Sequence, residues 1–412
     1  MIRTVVISLA VFLAVILLLV VALLVLRAKL MPSGDVSLTI NGDKKLTVPT
    51  GNSLISTLAE QEVYLPSACG GKGSCGQCKC RVLSGGGDIL PTEKGFFTRR
   101  QQQDHWRLGC QVKVKEAIAI EVPASILSIK KWECEVVSSH NVSTFIREFT
   151  VRLPEGENLT FQSGDYIQID IPKTTVRYSD MVVDEQYRSD WDHFHMWDLV
   201  MKNHEPCTRA YPMANHPAEG NIVTLNVRIA TPPFDRKRGG FAKVNPGVSS
   251  SYIWSLKPGD KVRLSGPYGE FHIKDTDKEM MFIGGGAGMA PMRSHIFHLF
   301  KTLHTQRKVS FWYGGRSLKE LFYTDEFEQI AAENPNFQFN IALSEPLPTD
   351  NWDGYTGFIH QVIFDNYLKN HPDPEEIEYY LCGPGPMTAA ATKMLDSLGV
   401  PKDNIFFDDF GS

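Results

Sequence analysis

The N-terminal third of the chain carries four cysteines whose spacing is typical of a metal centre. Five, two and 31 residues separate them in turn: Cys69, Cys75, Cys78 and Cys110. The first three lie in the loop SACGGKGSCGQCKC, whose glycines let the backbone wrap tightly and point N–H groups at the sulfurs. Iron–sulfur clusters are held by four thiolates, so the pattern predicts a [2Fe–2S] cluster that carries single electrons.

A zinc site and structural disulfides are the two alternative interpretations of these cysteines. Zinc ribbons usually show two short cysteine pairs, whereas Cys110 stands alone far downstream. The chain has eight cysteines, and four of them are assigned to the cluster. In a reducing compartment this argues against a disulfide framework. Cys80 follows closely after Cys78, and we interpret it as a bystander in the strand that leaves the loop.

A second group of residues, in the middle of the chain, suits a flavin dinucleotide. Arg209-Ala210-Tyr211 ends a predicted strand, so that Tyr211 can stack on the isoalloxazine ring and Arg209 can pair with the pyrophosphate. A predicted helix then begins at a Gly/Ser segment, and helix N-termini bind phosphate oxygens. The residues of that segment are Gly247, Val248, Ser249 and Ser250. A chance tripeptide and an ordinary helix cap are the alternative interpretation.

Two glycine-rich turns follow predicted strands in the C-terminal third, where dinucleotide phosphates bind. Their residues are Gly284, Gly285, Gly286 and Gly288, and then Cys382, Gly383 and Pro384. The strict G-x-G-x-x-G pattern is not met, because Ala290 and Pro291 stand where its third glycine is expected. The next strand ends at Arg316 without the acidic residue of that pattern. The pair of turns predicts a nicotinamide dinucleotide site of another type, with two tight βα turns as the alternative.

The N-terminal segment predicts a membrane anchor. Residues 5–26 are apolar except for Ser8, and a helix of that length spans about 33 Å, enough for the hydrocarbon core of a bilayer. The run is longer than a signal-peptide core, and no convincing cleavage site follows it. Arg27 and Lys29 follow it and Arg3 precedes it, which favours a cytoplasmic C-terminal side. Nucleotide cofactors and reduced thiolates belong in the cytosol, which also places the part of the chain after the helix on the cytoplasmic side.

Composition and pattern indicate a multidomain chain. It has 412 residues and a net charge of −5, and no basic stripe suggests a nucleic-acid partner. We expect a single transmembrane helix at 1–30, a β-grasp [2Fe–2S] ferredoxin-like domain at 31–128 and an antiparallel β-barrel FAD domain at 129–275. Strands alternate with helices at 276–412, which predicts an α/β doubly wound NADH domain. The FAD domain contains an insertion at about 173–205, either functional or a harmless surface loop.

Four local predictions accompany these domains. Alternating apolar residues around an Asn-Gly pair predict a hairpin over 35–49. A short helix is predicted over 53–61, capped by Ser53 or the residue before it. The segment 110–114 is predicted to be a strand that carries the last cysteine. A further helix is predicted around 324–333.

Taken together, these residues resemble the ferredoxin–NADP⁺ reductase superfamily. Arg209-Ala210-Tyr211 is similar to its flavin motif, Gly266–Gly269 to the turn that closes its flavin barrel, and Gly284–Pro291 to its pyrophosphate loop. Cys382–Pro384 is similar to its nicotinamide turn. Pro212 stands where the superfamily usually has serine, so a hydroxyl expected near the flavin is missing.

The resemblance also implies which residues take part in the reaction. It assigns catalytic positions to Tyr211, Cys382 and Phe410. Reductases of this superfamily often end in an aromatic residue that covers the flavin ring where the nicotinamide must sit. Phe410 matches that residue, although two residues follow it, and Gly411 supplies the flexibility to move it. A phenylalanine packed between domains is the alternative interpretation.

The order of the segments is more specific still. An N-terminal helix, a cluster with five residues between its first two cysteines and this reductase resemble the F subunits of sodium-translocating NADH:quinone oxidoreductases. This implies a bacterial inner-membrane subunit, single-pass, with cytoplasmic soluble domains. Electrons would pass from NADH to FAD, to the [2Fe–2S] cluster and to other membrane subunits, where quinone reduction is coupled to sodium export. The alternatives are the reductase component of a membrane-bound oxygenase and a membrane-tethered redox sensor.

Overall fold

The structure, a computed structural model, describes residues 2–30, 34–235, 237 and 239–408. It contains two compact units, Met1–Lys130 and Lys131–Ser412. The first unit begins with helix α1 (Ile2–Leu30). Within it, Val6–Leu23 is long and apolar enough to cross a membrane, and none of that stretch is buried inside the structure. The helix therefore has the length and composition that a membrane anchor requires.

A five-stranded mixed sheet forms the rest of the first unit. Its strands are β1 (Asp35–Ile40), β2 (Lys44–Pro49), β3 (Lys79–Ser84), β4 (Trp106–Leu108) and β5 (Ile118–Glu121). Its helices are α2 (Leu54–Glu60), α3 (Arg99–Gln103) and α4 (Ala124–Leu127). In the order β2-β1-β5-β3-β4, β1 and β5 are parallel and the other neighbours are antiparallel. This is the mixed sheet expected of a β-grasp domain.

The hairpin and the first helix of this unit confirm the predictions from the sequence. β1 and β2 pair across a turn in which Asn41 and Gly42 both have positive φ, 53° and 81°. The Ser53 hydroxyl accepts a hydrogen bond from the backbone N–H of Ser56 and so caps α2. Both elements depend on local turn and cap chemistry, which the sequence carries directly.

The predicted strand over 110–114 is wrong, because Cys110 lies in a turn after β4. The backbone N–H of Leu54 bonds to the Val112 carbonyl at 2.8 Å, and the Val114 N–H bonds to the Asn52 carbonyl at 3.0 Å. The alternation of buried residues in 110–114 thus serves contacts with the chain that enters α2. These contacts leave the last cysteine in a turn instead of a strand.

The first part of the second unit is a six-stranded sheet with additional short strands. The strands are β6 (Lys130–Ser143), β7 (Ile146–Arg152), β8 (Tyr166–Ile171), β9 (Thr174–Arg177), β10 (Val200–Asn203), β11 (Cys207–Pro212), β12 (Ile222–Arg228), β13 (Phe234–Asp235), β14 (Gly240–Phe241) and β15 (Lys261–Tyr268). The helices are α5 (Glu185–His193) and α6 (Val248–Ser255). The six-stranded sheet has the order β11-β8-β15-β6-β7-β12.

This sheet is antiparallel, as predicted, at the pairs β11–β8, β8–β15, β6–β7 and β7–β12. Its two edges meet at an isolated bridge between Met213 and Leu225. A single bridge is not a ladder between edge strands, so we describe an antiparallel sheet and not a closed barrel.

The insertion at 173–205 is folded. β9 and β10 form a two-stranded antiparallel sheet, and α5 lies between them in the sequence. Trp191 of α5 is 0% exposed and stacks on Trp254 of α6 with 5.4 Å between ring centroids. The Tyr178 hydroxyl shares a hydrogen bond of 2.8 Å with the Ser251 hydroxyl. The insertion is therefore part of the hydrophobic core of this domain.

The second part of this unit is a parallel sheet with helices on both faces, as predicted. Its strands are β16 (Met280–Gly285), β17 (Val309–Gly315), β18 (Phe337–Leu343), β19 (Tyr355–Thr356), β20 (Glu378–Cys382) and β21 (Ile405–Phe407). Its helices are α7 (Met289–Phe297), α8 (Thr324–Glu333), α9 (Ile359–Asn366) and α10 (Gly385–Ser397). α8 confirms the helix predicted around 324–333.

The strand order of this sheet places a crevice between two strands. The order is β19-β18-β17-β16-β20-β21, and all neighbours are parallel. The chain leaves β16 toward β17 and later returns on the other side of β16 as β20. Parallel sheets bind ligands at such a switch point, beyond the carboxyl ends of the strands.

A buried histidine lies where this sheet approaches the antiparallel sheet. His295 of α7 is 0% exposed and contacts the rings of Phe271, Phe282 and Tyr380. Burial lowers the pKa of His295 to about 3, because the charged imidazolium is poorly solvated there. An unfolded chain protonates the same ring near pH 6.5. Below about pH 6.5 the unfolded state therefore binds more protons, and stability decreases as the pH falls.

We expect the variant His295→Gln to lose part of the pH dependence of stability. Between about pH 7.5 and about pH 5.5 the wild-type Tm should fall by roughly 2–4 °C more than that of the variant, which corresponds to about 1 kcal/mol. Differential scanning calorimetry measures both values. His193→Gln, a change at an exposed histidine of α5, is the control. An equal pH dependence in His295→Gln and wild type would contradict the expectation.

Candidate cofactor sites

The four predicted cluster cysteines form two pairs in the structure. The Cys75 thiol donates a hydrogen bond to the Cys69 sulfur at 3.3 Å. A thiol–thiol hydrogen bond likewise joins Cys78 and Cys110. The pairs combine the first cysteine with the second and the third with the last. A binuclear cluster needs two thiolates for each iron, and this arrangement supplies them.

Backbone N–H groups of the glycine-rich loop point at the sulfurs, as the sequence predicts. The Gly73 N–H donates to the Cys110 sulfur. The donors to the Cys69 sulfur are Lys72, Ser74 and Cys75. The partner thiol's hydrogen bond, and then these amides, lower the pKa of Cys69 to about 3 and that of Cys110 to about 7. These hydrogen bonds favour the thiolate form, which is the form in which cysteine binds metal.

Glycine is required at two positions of this loop. Gly73 has φ +77°, and a Cβ there would lie 2.5 Å from Nε2 of Gln111. Gly76 has φ +68°, and its Cβ would lie 2.3 Å from Cδ1 of Phe96. Both the conformation and the space exclude a side chain, so the loop wraps as closely as the sequence predicts.

Two thiol pairs fit the two irons of a binuclear cluster, whereas a zinc site needs three or four ligands around one point. Within the part of the chain that the structure describes, no group of three or more His, Cys, Asp or Glu side chains is placed to hold one metal ion. Cys80, in β3, belongs to neither pair; it is 0% exposed, and burial raises its pKa to about 12.

A buried ion pair that sequence reasoning missed positions the end of β4. Glu93 and Arg107 are 2.8 Å apart, and their side chains are 0% and 5% exposed. Glu93 also accepts the backbone N–H of Leu108 at 2.8 Å, and Arg107 donates to the carbonyl oxygens of Gly86 and Gly87. The pair fixes the strand that leads to Cys110. No periodic signal links two residues so far apart in the sequence.

The predicted flavin residues lie where β11 and α6 meet. Arg209 and Tyr211 are two residues apart in β11, so their side chains lie on the same face of the strand. The Tyr211 hydroxyl donates to the Ser249 hydroxyl at 2.9 Å. The structure therefore brings together β11 and α6, which the sequence proposed as two separate parts of a flavin site.

The N-terminus of α6 offers free backbone donors. Its N-cap, Gly247, makes no side-chain cap hydrogen bond, and Val248 is the first helical residue. A Cβ on Gly247 would lie 2.5 Å from the Ala230 Cβ, and the Gly247 N–H bonds to the Ala230 carbonyl at 2.7 Å. The Ser250 hydroxyl accepts the Ala230 N–H at 3.0 Å. A fixed helix start with uncapped N–H groups fits a phosphate group.

The two predicted nicotinamide turns touch each other at the switch point. β16 and β20 pair with Gly284 opposite Cys382. A Cβ on Gly288 would lie 2.1 Å from the Cys382 carbonyl oxygen, and a Cβ on Gly383 would lie 3.1 Å from the Gly285 carbonyl oxygen. Pro384 then precedes α10. Bare backbone on both sides of the crevice is what a closely approaching pyrophosphate requires.

An acidic residue that the sequence appeared to lack stands one strand further along. Arg316 follows β17 and Glu345 follows β18; Arg316 Nη2 donates to Glu345 Oε2 at 2.8 Å. The Glu345 N–H bonds to the Arg316 carbonyl at 2.8 Å. Both side chains are about two-thirds exposed, 67% and 66%. The acidic residue of the dinucleotide pattern is expected after the second strand of the sheet, whereas Glu345 follows the third, so the sequence did not single it out. The predicted Phe410 lies outside the described residues.

Three segments of the chain match known domain families. Residues 38–115 match the 2Fe-2S iron-sulfur cluster binding domain, residues 192–273 match the oxidoreductase FAD-binding domain, and residues 282–393 match the oxidoreductase NAD-binding domain. The [2Fe–2S] cluster, FAD and NADH predicted from the sequence are confirmed as the cofactors of this chain.

Solved structures share the fold. A cytochrome P450 reductase from Amycolatopsis has a TM-score of 0.62 at 21% identity and covers 91% of this chain and 98% of its own. The ferredoxin reductase in carbazole 1,9a-dioxygenase has a TM-score of 0.58 at 24% identity and covers 92% and 99%. At these identities the likeness establishes the fold and not the activity.

Relatives along the full length are much more similar. A protein from Actinobacillus succinogenes is 54% identical over 97% of both chains, and one from Pseudomonas aeruginosa is 55% identical over 98% of both. A third, from Neisseria meningitidis, is 53% identical over 99% of both. Each of the three is named as the F subunit of a Na(+)-translocating NADH-quinone reductase. On this identity and coverage, the chain belongs to the family of Na(+)-translocating NADH-quinone reductase F subunits.

Proposed function

We propose that this chain is the electron-input subunit of a sodium-translocating NADH:quinone reductase. The observation that carries the proposal is that a paired-thiol loop, a flavin-type strand and helix, and two touching glycine turns occur on one chain of this family. When bound, NADH supplies a hydride, FAD accepts two electrons and releases them singly, and the [2Fe–2S] cluster carries one electron at a time. The chain's own task is to bind and orient these groups.

We assign the residue roles from the sequence motifs, supported by the contacts of the described residues, while the role of Phe410 rests on the sequence alone. Cys69, Cys75, Cys78 and Cys110 hold the cluster, two thiolates to each iron. Tyr211 lies against the flavin, and Arg209 neutralises pyrophosphate charge. The N-terminus of α6, at Gly247, Val248, Ser249 and Ser250, binds phosphate oxygens. The two glycine turns would hold NADH, Cys382 would lie beside the nicotinamide, and Phe410 would be the aromatic cover of the flavin.

The helix α1 anchors the protein in the bacterial inner membrane, with one span and with the cofactor domains in the cytoplasm. Its only polar residue between positions 5 and 26 is Ser8. Ionisable residues mark ion pathways in membranes, and this run has none. We therefore assign quinone reduction and sodium export to partner subunits, which receive the electrons.

The assignment of the cluster ligands predicts the outcome of five single substitutions. Replacing Cys69, Cys75, Cys78 or Cys110 by alanine should abolish the electron-paramagnetic-resonance signal of the reduced cluster, because each removes one of four thiolates. Cys80→Ala, the matched control in the same loop, should keep it. Loss of the signal in Cys80→Ala, or its survival in Cys110→Ala, would contradict the assignment of the four cluster ligands.

The order of electron flow predicts a partial reaction. In Cys75→Ala, NADH should still bleach the flavin absorbance, since the flavin and nicotinamide residues are untouched. Quinone reduction by the assembled complex that contains this variant should be lost. Unchanged quinone reductase activity without a cluster would place the cluster off the electron path.

The ion pair between Arg316 and Glu345 bears on the choice between NADH and NADPH. It lies at the carboxyl ends of β17 and β18, one and two strands from the turn that ends β16. In dinucleotide folds an acidic residue near this edge binds the ribose 2′-hydroxyl, whereas a free arginine accommodates a 2′-phosphate. Because the Arg316 guanidinium is paired with Glu345, it is not free to bind a 2′-phosphate, and we infer that the site favours NADH over NADPH.

We expect Glu345→Gln to improve the use of NADPH relative to NADH by roughly tenfold in kcat/KM, because Arg316 becomes available to the 2′-phosphate. Steady-state assays with an artificial acceptor measure both ratios. Glu333→Gln, at a carboxylate of α8 that bonds to Gln329, is the control. If the NADPH-to-NADH ratio of Glu345→Gln equals that of wild type, Glu345 does not select the nucleotide.

A further inference from the structure

The insertion at 173–205 reaches the turn between β6 and β7. Trp191 Nε1 donates to the carbonyl oxygen of Thr144 at 3.0 Å, while its ring stacks on Trp254. Thr144 is 1% exposed and Trp191 is 0% exposed. A fully buried tryptophan with a satisfied N–H is a rigid contact, so the insertion fixes the position of Thr144.

Thr144 also bonds to the nucleotide-binding side of the unit. Its backbone N–H donates to Oε2 of Glu320 at 3.3 Å, and its hydroxyl donates to the other carboxylate oxygen. Thr144 is buried and Glu320 is half-buried, so both hydrogen bonds to the charged carboxylate are partly shielded from water. Trp191, Thr144 and Glu320 thus form a continuous series of contacts from the insertion to the segment 318–323.

A second contact between the insertion and this segment lies nearer the surface. Lys319 Nζ donates to Asp190 Oδ2 at 2.5 Å and lies 5.5 Å from the centre of the Tyr187 ring. The side chains of Lys319 and Asp190 are 27% and 39% exposed. An ion pair that is this exposed contributes less than the buried series, because water screens it. It does allow exchange of charges without disturbing the core.

The segment 318–323 follows the carboxyl end of β17, at the edge where the glycine turns lie. Tyr323 ends the segment with φ 61°, and its hydroxyl donates to the Glu148 carboxylate of β7 and accepts Nδ2 of Asn226 of β12 at 2.8 Å. The segment is therefore held at three points: Lys319 bonds to the insertion, Glu320 to the β6–β7 turn, and Tyr323 to strands β7 and β12. The insertion supports the first two.

We propose that the insertion at 173–205 is a strut that sets the position of the nucleotide-binding sheet relative to the flavin side. Trp191, Thr144, Glu320 and the pair Asp190–Lys319 act as positioning residues for hydride transfer. The inference rests on the proposed function, because it concerns the geometry between NADH and FAD. Hydride transfer needs the reacting atoms about 3–3.5 Å apart, so a small displacement of one sheet lowers its rate strongly.

Two substitutions of Thr144 test the buried series in the full-length, cofactor-loaded protein. Thr144→Val keeps the shape but loses the hydroxyl, whereas Thr144→Ser keeps the hydroxyl. Anaerobic rapid mixing with NADH should show flavin bleaching slowed roughly tenfold in Thr144→Val and near the wild-type rate in Thr144→Ser. FAD content should be the same in all three. Equal bleaching rates in Thr144→Val and wild type would overturn the strut.

Exchange of the surface charges tests the same idea without touching the core. Asp190→Lys should slow bleaching, and Lys319→Asp in the same chain should restore the rate. Asp192→Asn is the control, since the Asp192 carboxylate accepts Trp197 Nε1 within the insertion. A double variant that stays as slow as Asp190→Lys would contradict a role for this pair, and the strut fails if Thr144→Val is also unaffected.

Hydrogen exchange provides a readout that does not depend on activity. The amides of 318–323 should exchange faster in Thr144→Val than in Thr144→Ser or wild type, because Glu320 loses its hydrogen bond from the Thr144 hydroxyl and keeps only the one from the backbone N–H. Unchanged exchange together with unchanged bleaching rules out the strut. Failure of the proposed function is distinguishable: wild type would then not bleach with NADH at all, whereas the exchange difference would remain.

Discussion

The close approach of two glycine turns is the constraint on which the nucleotide site depends. Parallel pairing of β16 with β20 brings Gly288 so near the Cys382 carbonyl oxygen that no side chain fits between them. The antiparallel sheet reaches the same turn through Ile146, whose Cδ1 lies 3.7 Å from where a Cβ on Gly286 would stand. The antiparallel sheet therefore contacts the bare backbone of this turn through a side chain, and we propose that the contacts around 318–323 preserve that geometry.

Features with local causes could be predicted from the sequence. The Asn41-Gly42 turn, the Ser53 cap and the glycine turns each depend on the conformational preference or hydrogen bonding of a few adjacent residues. The cysteine spacing belongs to the same class, because the loop from Cys69 to Cys78 is short and glycine-rich. The structure places these residues where the sequence requires them, with two thiol pairs and with both glycine turns at one crevice.

Features that depend on distant partners could not be predicted. The alternation over 110–114 indicated a strand, but its hydrogen bonds go to the segment that enters α2. The ion pair between Glu345 and Arg316 could not be predicted from either residue's neighbours in the sequence, because the two residues follow different strands of the parallel sheet. The insertion had no clear period because its core residues, such as Trp191, pack on α6 and on the β6–β7 turn as well as on neighbours within the insertion.

The central claim is that NADH reduces the flavin first and that the cluster receives its electrons from the flavin. The most direct test is to mix the full-length protein with NADH without oxygen and to follow the flavin absorbance and the cluster's paramagnetic signal in parallel. The account predicts that flavin bleaching precedes the cluster signal and that flavin-free protein shows no cluster signal. A cluster reduced by NADH before the flavin, or in its absence, would contradict it.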